Sequence, residues 1–390
     1  MRFFHLSDLH IGIKLHNYDL QADQKDILEQ IIRAAEEYRP DAVVIAGDVY
    51  DRAIPGPDAI SLFDWFVTRL VQVLPEAEIM IISGNHDSSQ RLNIFRSILK
   101  SHHIHMVGLP PLSADDHIEK VTLQDQYGEI DFWLLPFVKP AMVRDTLGLD
   151  EDSPALSYDK TIRSLLSRET IDSTRRNVLV SHQFYIPSGS NPEDIERMDG
   201  EIVTVGNIDS IGSDVLLPFD YAALGHIHKP MKVGSPQFNY CGTPFPYSIS
   251  EAGQNKGIVL VDITEKANEI DIQRIPLNPM HQVRVIQDTL ENVLKQSSSD
   301  YVLVELTDKV DLDVIDMRDR IQRAFPNLLN IRRVVNMADK KEFNISEGDN
   351  KPLDPFSICK SFIGDLDDED EEILRSIINL AKEAERGGES

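Results

Sequence analysis

Three short apolar runs separated by helix-like patterns constrain the fold of this chain more than any other feature. The runs lie at residues 3–6, 42–46 and 79–82, and apolar residues recur at helical spacing in both intervals between them. Because right-handed crossovers make successive strands parallel neighbours, the three carboxyl ends should share one edge of one sheet. Ligands of open α/β sheets bind at that edge. The sequence therefore predicts an α/β fold with its functional site where these strands end.

Later patterns indicate a second layer of strands. A helix around 91–100 and a strand at 104–107 continue the first alternation, whereas 118–124 and 130–136 have the pattern of an antiparallel hairpin. Further strand patterns lie at 177–180, 221–224, 257–263 and 269–275. Together they predict a two-layered β-sandwich flanked by helices.

The segments that follow predict two further domains and one long loop. Residues 187–207, rich in Ser, Gly and acidic side chains, are typical of a functional or mobile loop. Strand and helix patterns alternate again from 281, and an acidic run at 365–372 precedes an amphipathic helix pattern. We therefore expect one domain at 1–276, a small α/β domain at 281–337 and a helical tail at 353–390. The tail pattern fits either packing on its own core or binding of a partner.

Composition and charge narrow the classes of protein. No apolar run reaches the ~18 residues of a membrane span, and the N-terminal residues lack the pattern of a signal peptide. Two cysteines cannot form a disulfide framework, which favours a reducing cytoplasm. The 39 Lys and Arg residues against 65 Asp and Glu residues give a formal charge of -26, which argues against a broad basic surface for nucleic acid. Bound cations or a partner protein could still neutralise it locally.

Metal-competent side chains follow five of the predicted strands. They are Asp8 and His10, Asp48 and Asp51, Asn85 with His86 and Asp87, His182, and His226 with His228. Any one of them could be a turn residue or a buried core histidine. We favour such structural roles for the histidines at 5, 102, 103, 105, 117 and 281. Five strands with the same kind of ending instead indicate one shared site.

The residue types at these strand ends suit a transition metal. Carboxylate, imidazole and amide donors together favour Mn, Fe or Zn over calcium, whose sites are built from oxygen. Residues spaced i and i+2 in extended backbone point the same way, so we expect Asp8 with His10, and His226 with His228, to aim at one side. Asp48 could bridge two cations ~3.5–4 Å apart, the spacing of sites that hydrolyse phosphate esters.

The order of these motifs resembles that of the calcineurin-like metallophosphoesterases. The motifs are Asp-x-His, Gly-Asp-x-x-Asp, Gly-Asn-His-Asp, an isolated His and Gly-His-x-His. More narrowly, the segment His-Leu-Ser-Asp-Leu-His-Ile-Gly at 5–12 is similar to that of the SbcD-type DNA-repair nuclease subunits. The resemblance covers nearly the whole chain and is strongest before residue 275.

The resemblance implies a role for each site residue. The first cation would be held by Asp8, His10, Asp48 and His228, and the second by Asp48, Asn85, His182 and His226. His86 would stabilise the transition state or protonate the leaving oxygen, and Asp51 would orient His86. DNA-repair relatives from archaea and eukaryotes carry a histidine at the position of Asp51. Asp87 would support its loop. Arg52 is a candidate for a contact with phosphate or DNA, with an exposed structural arginine as the alternative, and His16 is a weaker candidate, with a solvated loop residue as the alternative.

The resemblance also implies activity and partners. It implies two Mn ions, with Mg, Fe or Zn as alternatives, and cleavage of double-stranded DNA from 3′ to 5′ and of single-stranded or hairpin DNA. The resemblance also implies that cleavage of double-stranded DNA requires ATP. An SbcC-type SMC-like coiled-coil ATPase would bind that ATP, because no Gly-x-x-x-x-Gly-Lys-Ser/Thr phosphate loop is present in this sequence. The domain at 281–337 would cap DNA, and the tail would bind the ATPase. The chain would form a homodimer within a heterotetramer. This complex would be located in the bacterial cytoplasm and associate with the nucleoid. Two other hypotheses are a stand-alone phosphodiesterase or phosphatase and a non-catalytic scaffold. The complete ligand set argues against the scaffold.

Overall fold

The computed structural model describes residues 1–150, 152–201, 204, 208–308, 314–334, 356, 359 and 370–379. The strands in chain order are β1 Arg2–Leu6, β2 Lys14–Leu15, β3 Tyr18–Asp19, β4 Ala42–Ala46, β5 Glu78–Ile82, β6 Ile104–Val107, β7 Glu119–Asp125, β8 Gly128–Leu135, β9 Arg176–His182, β10 Phe184–Ile186, β11 Ser210–Gly212, β12 Tyr221–Gly225, β13 Met231–Val233, β14 Ser235–Tyr240, β15 Gly257–Asp262, β16 Asp271–Pro276, β17 Val283–Asp288, β18 Tyr301–Leu306 and β19 Leu328–Arg333. The helices are α1 Gln21–Tyr38, α2 Pro57–Val73, α3 Ser89–Leu92, α4 Arg96–Lys100, α5 Tyr158–Ser167, α6 Leu290–Val293 and α7 Val314–Ala324.

The first sheet contains the three apolar runs that open the chain. Its strand order is β16-β15-β1-β4-β5-β6, and β1, β4, β5 and β6 are parallel neighbours. β15 joins β1 antiparallel. β4 is buried at every position, as expected for a strand covered on both faces. The predicted parallel arrangement of the first three strands is confirmed, so their carboxyl ends face one edge.

The second sheet has the strand order β13-β14-β12-β9-β8-β7, with β8, β9, β12 and β14 parallel. It stacks on the first sheet through a shared apolar core, in which the ring of Phe3 meets those of Phe132 and Tyr221 at 5.3 and 5.6 Å in edge-to-face geometry. Residues of α1 and α2 pack in the core on the outer side of the first sheet, and residues of α5 pack in that of the second. The predicted two-layered sandwich flanked by helices is confirmed.

A third sheet of parallel strands in the order β17-β18-β19 has its own apolar core with α6 and α7. It contacts the sandwich through Asp23 of α1, which is 2% exposed. The Asp23 carboxylate accepts a hydrogen bond from Tyr301 Oη at 2.9 Å and lies 2.8 Å from His281 Nδ1. His281 therefore has a structural contact in the described residues. The predicted domain limits stay a prediction.

The secondary structure differs from the sequence-based prediction in two respects. The helix expected around 91–100 is two short helices, because Phe95 between them adopts a left-handed backbone with φ 60°. The sequence pattern also did not predict α5 or the short strands β2, β3, β10, β11, β13 and β14.

The chain divides into two compact units, Met1–Glu201 with Ser210–Val334, and Ile202–Asp209 with Val335–Ser390. In the second unit, residues 370–379 are helical, and the Arg375 guanidinium lies 3.7 Å from the centre of the Phe356 ring. Apart from residues 356, 359 and 370–379, the predicted acidic run and tail lie outside the described residues. In the part of the chain that is described, no helix is both long and apolar enough to cross a membrane.

Candidate metal centre

The loops that follow β1 and β4 run side by side and carry the first site residues. Asp8 N donates to Gly47 O at 3.0 Å, and His10 N donates to Asp48 O at 3.0 Å, so backbone pairing continues beyond the strands. The expected extended backbone is wrong here, because Asp8 and His10 have φ of 53° and 41°. Both side chains still reach the same centre, since the paired loops turn together.

Asp48 lies at the middle of the cluster. Its Oδ2 is 3.6 Å from His10 Nε2 and 3.3 Å from His182 Nε2. Its Oδ1 accepts a hydrogen bond from His86 N at 2.9 Å. Gly84 permits this arrangement, because a Cβ there would lie 2.1 Å from Asp48 Oδ1. The glycine of Gly-Asn-His-Asp is therefore required by the carboxylate that it faces.

Two groups of donor atoms lie on either side of Asp48. On one side His10 Nε2 and His228 Nε2 are 3.1 Å apart, and a ring nitrogen of each histidine lies within 4.8 Å of a carboxylate oxygen of Asp8. On the other side Asn85 Oδ1 lies 3.1 Å from His182 Nε2 and 2.8 Å from His226 Nδ1. The seven side chains predicted as ligands therefore converge on one buried centre.

This donor set fits divalent cations of the transition series. It contains only carboxylate, imidazole and amide donors, in the combination that such cations prefer. The facing Nε2 atoms of His10 and His228 are 3.1 Å apart, so either one of them carries a proton and donates it to the other, or both present lone pairs that can bind a cation. His10 Nδ1 is also buried without a hydrogen-bond partner in the described residues.

Burial and neighbouring charges shift the pKa values of His182 and Asp48 in opposite directions. Burial alone would lower the pKa of His182, but the carboxylates of Asp48 and Asp8 raise it to about 9. Burial alone would raise the pKa of Asp48, yet the neighbouring imidazoles, His182 foremost, hold it well below its usual range. The carboxylates therefore attract positive charge to this centre.

His86 and Asp51 lie beside the cluster. His86 Nδ1 is 2.8 Å from the main-chain carbonyl oxygen of Asp51, so the contact predicted between these residues is made through the backbone and not through the carboxylate. The Asp51 carboxylate instead faces His10, with Oδ1 4.0 Å from Nδ1. A ligand atom of His86 also lies within 4.8 Å of those of His10 and Asp48, so distance alone does not separate His86 from the ligands.

The remaining candidates have different surroundings. Asp87 accepts hydrogen bonds from Val49 N, Tyr50 N and Gly84 N at 2.9 to 3.1 Å, which ties two loops together. The Arg52 side chain is 75% exposed and lies 3.4 Å from the Asp51 carboxylate. His16 is exposed, and in the described part of the chain no hydrogen bond or ion pair joins it to the cluster.

The sequence did not reveal several charged residues around Gly-His-x-His. Arg197 Nη2 lies 3.1 Å from His226 Nε2, and the Glu201 carboxylate accepts from His228 N at 2.8 Å. Both residues belong to the segment 187–207, and the prediction of a functional loop there was the only sequence signal that pointed to them. Glu251 and Lys256 form a fully buried ion pair next to His228, and no motif marked them.

Comparison with known proteins agrees with the motif order. The calcineurin-like phosphoesterase family matches residues 1–230. The SbcD component of the nuclease SbcCD from Staphylococcus epidermidis is 29% identical over 376 residues, which cover 95% of this chain and 94% of that protein. The protein of the same name from Staphylococcus saprophyticus is 30% identical over 336 residues, 84% of each chain.

Solved structures also resemble this chain, at low similarity. A dimetal phosphatase from Danio rerio has a TM-score of 0.40 and 12% identity, and the match covers 71% of this chain and 96% of that one. GAP50 of Plasmodium has a TM-score of 0.38 and 12% identity, with 87% and 98% covered. The family match and the curated relatives carry the assignment: this chain belongs to the calcineurin-like phosphoesterase family and is a phosphodiester hydrolase of the SbcD type.

Proposed function

We propose that this protein is the Mn-dependent nuclease component of an SbcCD-type complex, acting in DNA repair, recombination and replication. The main support is the convergence of Asp8, His10, Asp48, Asn85, His182, His226 and His228 on one buried centre. One cation would be held by Asp8, His10, Asp48 and His228, and the other by Asp48, Asn85, His182 and His226. Mg, Fe or Zn are alternatives to Mn.

Bound divalent cations would polarise the phosphoryl group and lower the pKa of the attacking water. The chain's own residues supply the remaining steps. His86 Nδ1 must carry a proton to bond the Asp51 carbonyl, because a carbonyl oxygen only accepts. Nε2 of the neutral ring then carries no proton, so His86 can protonate a leaving oxygen only when the ring is the doubly protonated imidazolium. Arg52 is exposed and lies 3.4 Å from the carboxylate of Asp51, so it is our first candidate for a contact with a DNA phosphate, with His16 as the second.

The substrates we propose are double-stranded DNA, degraded from the 3′ end with ATP, and single-stranded or hairpin DNA. ATP hydrolysis would be supplied by an SbcC-type SMC-like coiled-coil ATPase bound to the tail at 353–390, while 281–337 would cap the DNA. A partner with DNA contacts also explains how a chain of formal charge -26 acts on a polyanion. The complex would act in the cytoplasm at the nucleoid.

We further propose a homodimer within this heterotetramer. Support comes from exposed apolar side chains in the segment from the end of α3 into α4, where Ile94, Phe95 and Ile98 are 52%, 71% and 61% exposed. Neighbouring apolar side chains exposed to this degree are typical of an interaction surface. Size-exclusion chromatography with light scattering should give a dimer for the chain and a monomer for Phe95→Glu.

The activity is tested with purified protein, labelled hairpin DNA and Mn, with and without the ATPase partner. Cleavage of the hairpin is expected, and processive degradation of duplex DNA only with the partner and ATP. Turnover of a cyclic nucleotide without cleavage of any DNA would instead support a stand-alone phosphodiesterase. Truncation after Leu353 should abolish binding of the ATPase and leave metal binding intact.

A further inference from the structure

The backbone and ring of His228 are held by three buried charged residues that lie outside the metallophosphoesterase motifs. Glu201 Oε1 accepts from His228 N at 2.8 Å, and Lys256 Nζ donates to His228 O at 3.2 Å. Glu251 Oε1 lies 3.4 Å from Nδ1 of the His228 ring. His228 is therefore fixed at its main-chain nitrogen, its main-chain oxygen and the ring nitrogen that faces away from His10.

Glu251 is the central member of this group. It is 0% exposed, and its carboxylate accepts hydrogen bonds from Ser248 Oγ at 2.9 Å, Thr243 Oγ1 at 2.6 Å and Lys256 Nζ at 2.5 Å. These donors fix the orientation of the carboxylate before it meets His228. A carboxylate that is buried this deeply is costly unless it is fully paired, so it is expected to have a specific role.

The direction of the His228 ring indicates that role. Nε2 points to His10 Nε2 at 3.1 Å, inside the cluster, and Nδ1 points to Glu251 on the opposite side. When Nε2 binds a cation, the proton of the neutral ring must lie on Nδ1, where the Glu251 carboxylate accepts it. A carboxylate in this position fixes the tautomer and raises the basicity of the ligating nitrogen.

We infer that Glu251 is a positioning residue of the metal centre, which sets the orientation and ligand strength of His228, and that Lys256 balances its charge. The inference rests on the proposed function, in which His228 is a ligand. Lys256 is then needed for stability more than for metal affinity, because Thr243 N also donates to His228 O at 3.1 Å and keeps that carbonyl paired.

The test compares Mn binding by electron paramagnetic resonance titration in two variants. Lys256→Met retains the carboxylate beside His228, whereas Glu251→Gln/Lys256→Met removes both charges and leaves no unpaired buried ion. We expect a reduction in affinity of about 10- to 100-fold in the double variant relative to Lys256→Met. The double variant should melt no lower than Lys256→Met, because Lys256→Met leaves the Glu251 carboxylate buried without its partner; a weaker Mn affinity in the double variant is then not a result of lower stability. Equal Mn affinity in both variants would overturn the inference.

His228→Asn separates this inference from the proposed function. If His228→Asn binds Mn as wild type does, the ligand assignment fails. If it loses Mn while the double variant keeps normal affinity, only the role of Glu251 fails. Should the double variant not fold, Glu251→Asp is measured instead; it retains the charge but withdraws the oxygens by one methylene from a contact that is already 3.4 Å long. Reduced Mn affinity in Glu251→Asp supports the inference, and unchanged affinity contradicts it.

Discussion

Replacing Asp51 by Asn tests which part of this residue serves His86. The His86 ring bonds the Asp51 carbonyl at 2.8 Å, and that carbonyl remains in Asp51→Asn. The substitution removes only the carboxylate charge, which lies 4.0 Å from His10 Nδ1, too far for a hydrogen bond. Burial holds the pKa of His10 well below its usual range, so this ring is neutral and interacts weakly with the charge.

The magnitude follows from these contacts. Two full charges at 4 Å interact by about 1 kcal/mol in water and about 4 kcal/mol at an effective dielectric of 20. Since His10 is neutral, its interaction with the carboxylate is weaker than that of two full charges, and we take about 1 kcal/mol as the upper limit, which corresponds to at most about a fivefold loss in rate. His86→Asn, by contrast, removes the proposed proton donor and should cost about 10²- to 10⁴-fold.

Single-turnover cleavage of labelled hairpin DNA at saturating Mn measures both losses. Mn binding is titrated in parallel, because His86→Asn should retain the cations if His86 is not a ligand. A rate loss in Asp51→Asn as large as that in His86→Asn would refute the carbonyl contact as the functional one. Because a carbonyl is present whatever the side chain, the contact with His86 does not depend on the residue type at position 51.

Two further predictions concern the centre and the sandwich core. Gly84→Ala should abolish tight Mn binding, because the new Cβ would lie 2.1 Å from Asp48 Oδ1. Gly56→Ala is the control and should bind Mn normally, because no atom lies within 4 Å of its new Cβ. Calorimetric titration with Mn compares the two variants, and normal binding by Gly84→Ala would contradict the geometry. Burial lowers the pKa of His5 to about 3. Between pH 6.5 and 3 the unfolded chain therefore binds a proton at this residue that the folded chain does not bind. As the pH decreases through this range, the free energy of unfolding falls by up to about 1.4 kcal/mol per pH unit. Urea unfolding of His5→Gln should show a shallower loss from pH 6.5 to 4.5 than wild type, and parallel curves would contradict this assignment.

The sequence predicted the first sheet closely, for a physical reason. Strands buried on both faces must be continuous apolar runs, and the runs at 42–46 and 79–82 match the observed Ala42–Ala46 and Glu78–Ile82 within one residue. The break between α3 and α4 was not predictable, because Phe95 carries no local signal for a left-handed backbone. β14 was missed since its first half, Ser-Pro-Gln, lacks an apolar pattern and its burial is decided by the neighbouring β12.

The proposed ligands and the residues that support them differ in how visible they are in a sequence. The proposed ligands directly follow apolar strand patterns, so the strand and the metal-binding residue types appear together in the sequence as one short motif. Glu201, Glu251 and Lys256 reach His228 from loops 23 to 28 residues away, and only the folded chain brings them together. A substitution at Glu251 would therefore leave every motif intact while weakening the centre. If Glu251 acts as we infer, an intact set of motifs is not sufficient for tight metal binding in this protein, because ligand affinity then also depends on a buried charge that no motif contains.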